Sequence, residues 1–410
     1  MRTWVSDGKA DRVVQVDVYR VKKIAKRLRN RGRVWLKRLL GRHPPMVWFS
    51  HPIFLRHEPG QSHPDAPLRV QAIEYELRRQ GIWPKLVERE GSEVADRQLA
   101  RVHPRHYLQM LESRQPPEGK ISRLDDDTVM SHDSLAAARF AAGAVVRAVN
   151  EVLKDKAYNA FCAVRPPGHH AQTARAGGFC LINHVAVGAM HAIAEHRLER
   201  VAIIDFDVHR GDGTEEIFKD DPRVLLLGMS QNGLFPFQRE MVDGSNPNRV
   251  AIDLPAGADS QTLRDLVRRE WLPALSAFKP QLVLLSAGFD GHRHEELSDT
   301  DFHEADFAWL THRIMQAAGS CRGRVVSVLE GGYSLEPLVK SAAAHIHVLS
   351  GMGKPECAVI YDKMLKMEPG VLLPDSLLNL PGSLKNRAEE IRQKFEKLRQ
   401  KIPSEKDKDS

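Results

Sequence analysis

The 410-residue chain predicts a three-layer α/β protein with a parallel sheet between helices. Several short runs are continuously apolar rather than alternating, the pattern of strands covered on both faces. Helix-length stretches separate these runs. Glycine-rich polar clusters follow several of them, at the strand ends where sites collect in such folds.

In chain order, residues 1–45 form a basic arm, with 14 Lys/Arg against Asp7, Asp11 and Asp17. Val21, Ile24, Leu28, Trp35 and Leu39 recur at roughly helical intervals, predicting one or two amphipathic helices that stop near Gly41 and Pro44-Pro45. A solvated helix packed on the body is the plainer expectation, and contact with an anionic membrane or nucleic-acid surface the sharper one. The early aspartates argue against a transit peptide. The remainder of the chain nets about −4, so the basic balance describes the arm and not the body.

Residues 46–352 read as the body. Strands are predicted at 46–50, 160–164, 201–205, 224–228, 282–287 and 324–329. Helices are predicted at 68–80, 134–153, 184–195, 214–218, 260–278 and 301–318. In the third zone, 353–410, Leu384, Ala388, Ile391, Phe395, Leu398 and Ile402 mark an a/d seam on a charged helix. It spans under three heptads, which favours docking on the body over self-association into a homo-oligomer. The tail 404–410 is expected to be disordered.

Hydrophobic residues at 42% and charged residues at 28% exclude a disordered chain. No apolar run approaches the roughly 20 residues of a membrane span, and no secretory signal opens the chain. Cys162, Cys180, Cys321 and Cys357 are widely spaced, against both a disulfide framework and a zinc–thiolate site. A reducing, cytoplasmic location is expected, with the nucleus left open.

Four clusters carry chemistry. Asp205, Asp207 and His209 leave the apolar run 201–204 on one side of an extended chain, and two carboxylates beside an imidazole call for a shared cation or proton. Asp212 with Glu215 fits, by itself, a helix cap with a capping box. Arg165-Pro166-Pro167-Gly168-His169-His170 sets two imidazoles on a stiff turn, offering a general base. Ser286-Ala287-Gly288-Phe289-Asp290 adds a carboxylate at another strand end, with His292 and His294 as weaker ligand candidates on a loop expected to be hydrated. Glu330-Gly331-Gly332-Tyr333 adds a hydroxyl that can meet an oxyanion.

In this order and each after a strand-like run, these motifs closely resemble the histone deacetylase family, on its class II and bacterial side. The resemblance covers roughly residues 46–352, with lesser matches at His63–Arg69, Val102-His103, Tyr107-Leu108, Asp127-Thr128 and Gly178-Phe179-Cys180. It implies the arginase/deacetylase fold, with a mainly parallel eight-stranded sheet. It implies one Zn²⁺ on Asp207, His209 and Asp290, and two histidine–aspartate pairs, His169 with Asp205 and His170 with Asp212. Asp205 then orients a histidine, which spacing alone leaves open. Tyr333 becomes the oxyanion donor, Phe179 and Phe235 the aromatic tunnel walls, and a structural K⁺ sits on backbone carbonyls around Asp205, Asp207 and His209. Departures are Arg210, where the family often has histidine, and the loop after Asp290, which lacks the usual Asp-Pro. At Leu297, polyamine-specific relatives carry a gatekeeping Glu.

The expected activity is metal-assisted hydrolysis of acetyl-lysine in proteins, with His170 moving the proton. The rivals are an amidohydrolase of small acetylated amines, a two-manganese ureohydrolase, and a non-catalytic metal-bound interaction module.

Overall fold

The computed structural model describes residues 45–61, 63–237, 243–321 and 323–351, and the backbone of two short strands near the N-terminus. Those two, β1 (Thr3–Val5) and β2 (Val14–Val16), pair antiparallel and belong to a separate unit, Met1–Pro45. The helical stripe expected over residues 21–39 and the seam expected over 384–402 lie outside the described residues.

The body contains β3 (Met46–Ser50), β4 (Leu86–Glu90), β5 (Ile121–Arg123), β6 (Val129–Ser131), β7 (Ala160–Cys162) and β8 (Val201–Asp205). It continues with β9 (Val224–Gln231), β10 (Arg249–Leu254), β11 (Leu282–Ala287) and β12 (Val325–Leu329). Eight of these form one sheet in the order β10-β9-β8-β11-β12-β7-β3-β4, with every pairing parallel. The remaining two, β5 and β6, make a small hairpin.

The apolar strands sort their side chains with period two. Ala202, Ile204, Val283 and Leu285 join one core with the helices Leu68–Arg79, Glu304–Ala317 and Leu335–Leu349. Val201, Ile203, Leu282 and Leu284 join the other, with the helices Ser134–Leu153 and His184–His196. Two covered faces explain why these strands read as unbroken apolar runs. The result is the three-layer architecture expected, with its eight-stranded sheet.

Three departures have local causes. The edge strands β4 and β10 were not expected, because each is half exposed and carries charge: their burial leaves Glu88, Arg89 and Glu90 outward on β4. The single helix expected at 260–278 is two helices, Ser260–Leu266 and Leu272–Phe278, joined by a π-turn at Val267–Trp271. Pro273 lacks the N–H that would reach back along a regular helix, and the wider turn absorbs that loss. The helix expected from 301 starts at Glu304, since Asp301 and Phe302 make extended bridges to Asp259 and His292.

Chain direction fixes where the site must lie. From β8 the chain proceeds outward through β9 to β10, while from β11 it proceeds to β12 on the opposite side. The β8–β11 crevice is therefore a topological switch point, with loops diverging at its carboxyl end.

Candidate metal and catalytic site

Asp205 on β8 lies in register with Ser286 on β11, so the residues just beyond both strands emerge side by side. Ligand atoms of Asp207, His209 and Asp290 all lie within 4.8 Å of one another. His209 Nδ1 is 3.0 Å from Asp207 Oδ1 and 3.0 Å from Asp290 Oδ2. Both carboxylates are almost fully buried, at 1% and 0% exposure.

Such groups stay charged only by compensating one another. Burial opposes charge on His209, yet the carboxylates of Asp290 and Asp207 hold its pKa up at about 10. Burial and the Asp207 charge push Asp290 up to about 7. Burial also works against ionised Asp207, but His169 and His209 hold it well below the ordinary carboxylate range. A divalent cation between these groups would supply the same compensation. Two oxygens and one nitrogen at this spacing fit a borderline cation such as Zn²⁺ and leave positions open for water and substrate.

Bare backbone walls this centre. A Cβ at Gly331 would come within 2.0 Å of Asp290 Oδ2 and 2.5 Å of Asp207 Oδ2, and one at Gly288 within 2.1 Å of Asp207 Oδ2. The Gly331 N–H donates to Asp207 Oδ2 at 2.9 Å, anchoring the carboxylate from the β12 loop.

The loop after β7 brings in the two imidazoles, whose ring centroids are 4.0 Å apart. His169 Nδ1 pairs with Asp205 Oδ2 at 2.9 Å, and His170 Nδ1 with Asp212 Oδ1 at 2.8 Å. Gln172 also donates to Asp212, Oδ2, at 3.0 Å. Asp212 does not make the cap that its local sequence fits, and it makes the His170 pairing that the resemblance implied. The helix Asp212–Phe218 has Gly211 as its N-cap, with no side-chain cap bond, and the Asp212 carboxylate serves His170. Asp205 lies outside the ligand trio.

Asp127, His170, Gly178, Phe179, His209, Phe235, Leu297 and Tyr333 line one cavity. The Phe235 ring stands edge-on to His170 at 4.8 Å, and Phe179 edge-on to Tyr333 at 5.6 Å. Burial raises the Tyr333 hydroxyl well above its ordinary pKa, and Asp207 and Asp290 reinforce this against Arg69, so it remains a donor.

The weaker ligand candidates fall elsewhere. His292 is buried rather than hydrated, its Nε2 3.7 Å from Glu304 Oε2, and its Nδ1 accepts from the His294 N–H at 3.1 Å. Arg210, at the other departure from the family pattern, is buried and donates to Glu215 at 2.9 Å.

Several residues that the motifs contain, but to which the sequence assigns no role, support the site. Glu330 accepts from Ser286 Oγ at 3.0 Å and from the N–H groups of Gly168 at 2.6 Å and His169 at 3.2 Å, fixing the imidazole turn. Asp65 Oδ1 accepts from Arg69 at 2.7 Å and from Arg165 at 2.7 Å. Arg69 in turn donates to the carbonyls of Gly332, at 2.7 Å, and Glu330, and stacks 4.7 Å from the Tyr333 ring centre. Glu295 accepts from the Tyr333 N–H at 2.8 Å. Asp65 and Arg69 are four apart, but Asp65 precedes the helix Leu68–Arg79, so no helical spacing announces their pairing.

Fold and site together define a three-layer α/β protein with a candidate one-metal hydrolytic centre at its switch point. The histone deacetylase domain model matches residues 63–349. The histone deacetylase-like amidohydrolase of Pseudomonas aeruginosa is 33% identical over 296 residues, covering 71% of this chain and 77% of that protein. The human polyamine deacetylase HDAC10 is 35% identical over 306 residues, covering 71% of this chain and 45% of that one. The crystal structure of the HDA15 HD domain superposes with a TM-score of 0.70 at 29% identity, covering 78% of this chain and 99% of that one. The chain belongs to the histone deacetylase family, as its motifs implied. No helix among the described residues is long and apolar enough to cross a membrane.

Proposed function

We propose that this chain is a zinc-dependent deacetylase that hydrolyses the acetyl amide of acetyl-lysine in proteins. The observation that carries the reading is the convergence of a buried Asp–His–Asp trio, an aspartate-paired imidazole and a tyrosine on one aromatic-walled cavity. A cation held by Asp207, His209 and Asp290 would activate a water and polarise the acyl carbonyl.

The chain's own residues do the rest. His170 commits Nδ1 to Asp212, which leaves Nε2 to accept the water proton and return it to the departing amine. Burial, the neighbouring His169 and, more weakly, His209 lower His170 to about 4, so it is a neutral acceptor at physiological pH. His169, held by Asp205, keeps a positive charge beside the reacting carbonyl. The protonated Tyr333 hydroxyl donates to the oxyanion. Phe179, Phe235 and Leu297 enclose the alkyl stem and exclude water.

Leu297 favours a protein substrate, because polyamine-specific relatives are expected to place a Glu there. Likeness to a polyamine deacetylase keeps small acetylated amines as the second reading. Metal analysis joined to a panel of acetyl-lysine peptides and acetylated polyamines separates the two. Tyr333→Phe should retain the metal yet turn over at least about tenfold more slowly. Unchanged turnover would remove Tyr333 from the mechanism.

A further inference from the structure

We propose that Glu295 is a positioning residue for Tyr333, holding its backbone so that the hydroxyl meets the developing oxyanion. The inference rests on the reading of Tyr333 given above. Glu295 sits in the loop that departs from the family pattern, five residues after Asp290. It is 6% exposed, and both of its oxygens are used. Oε2 accepts from the N–H groups of Tyr333 at 2.8 Å and Ser334 at 3.0 Å. Oε1 accepts from Ser334 Oγ at 3.2 Å and from the Glu296 N–H at 3.0 Å.

Those donors explain why the tyrosine is held here. Tyr333 and Ser334 precede the helix Leu335–Leu349, whose first N–H groups lack partners inside the helix. Ser334 is its N-cap but makes no side-chain cap bond. Its hydroxyl turns to Glu295 instead, and the Glu295 carboxylate takes the N–H groups of Tyr333 and Ser334, the two residues just before the helix. Negative charge at a helix start is favourable, so the contact is stable as well as directional.

The same short segment reaches the metal loop and the tunnel wall. Ser298 Oγ donates to the Asp290 carbonyl at 2.5 Å, and Leu297 lines the cavity. One carboxylate therefore sets the spacing between the β11 loop, with its ligand Asp290, and the β12 loop, with its hydroxyl. On the other flank, Arg69 holds the carbonyls of Glu330 and Gly332. Glu295 supplies the complementary grip on the N–H side of Tyr333.

A double-mutant cycle tests this in the metal-loaded full chain. Glu295→Ala should lower kcat on the order of tenfold with KM changed less than about twofold, because a small misplacement of a catalytic group is costly. Placed on a Tyr333→Phe background, the same change should slow kcat by less than about twofold, because its target is gone. Glu295→Gln, which keeps an acceptor oxygen, should fall between wild type and Glu295→Ala; it runs the same cycle if the alanine variant does not fold. Equal slowing of wild type and Tyr333→Phe, loss of metal from the Glu295 variants, or unchanged kcat would each overturn the role. Failure of the underlying reading looks different: Tyr333→Phe would itself turn over like wild type.

Discussion

His169 and His170 are adjacent in sequence, and each pairs Nδ1 with a buried aspartate at nearly the same distance. Their protonation is nevertheless opposite. Burial lowers both. At His169 the carboxylates of Asp205, Asp207 and Glu330 outweigh burial and hold the ring protonated well above its ordinary range. At His170 the charge of His169 adds to burial, and Asp212 only partly restores what they remove. A local histidine–aspartate dyad therefore does not set its own charge. The third parties do, and in the proposed mechanism they make one neighbour an electrostatic fixture and the other a proton acceptor.

The widest expected effect comes from removing the centre both imidazoles serve. Asp290→Ala should abolish stoichiometric metal binding and cut turnover by at least about 10³-fold, as should chelation, read by metal analysis beside the rate. Next comes the contrast itself. His170→Ala should cost about 10²–10⁴-fold in kcat, as loss of a general base does, and His169→Ala distinctly less. Equal losses would erase the asymmetry. Asp212→Asn should cost about 10–100-fold, as loss of an orienting partner does. The smallest effect is a displacement along the pH axis. With metal saturating, kcat/KM should fall as acidity protonates His170, below the ordinary histidine range and toward about 4. Asp212 raises the His170 pKa, so Asp212→Asn should move that acidic limb lower still. A limb that moves upward would place the titration elsewhere.

Much of this was legible in the sequence because the relevant signals are local. Six buried strands show as apolar runs, and each chemical motif follows one within a few residues. The edge strands β4 and β10 were not legible, since a half-exposed parallel strand with charged residues has neither an apolar run nor clean alternation. The helix Leu335–Leu349 was missed as well, although it starts directly after Tyr333. At the site, the candidate ligands, the imidazoles and, through the resemblance, their two aspartate partners could be read, while the roles of the longer-range supports could not. Glu330 reaches Gly168 across 162 positions, Arg69 reaches Gly332 across 263, and Glu295 meets backbone N–H groups. A carboxylate bound to distant backbone leaves no periodicity. Asp212 shows the converse: its local context fits a cap, the resemblance pairs it with His170, and the approach of the β7 loop makes that pairing.

The two glycines beside the trio make a simple diagnostic. Any side chain at position 288 or 331 would strike the carboxylates that define the centre, closer than non-bonded atoms approach. In a related chain, those two letters should report whether the hydrolytic machinery survives, even where every acidic and histidine residue has been kept. An otherwise intact descendant with alanine at either place would be expected to persist as a fold and fall silent as a catalyst.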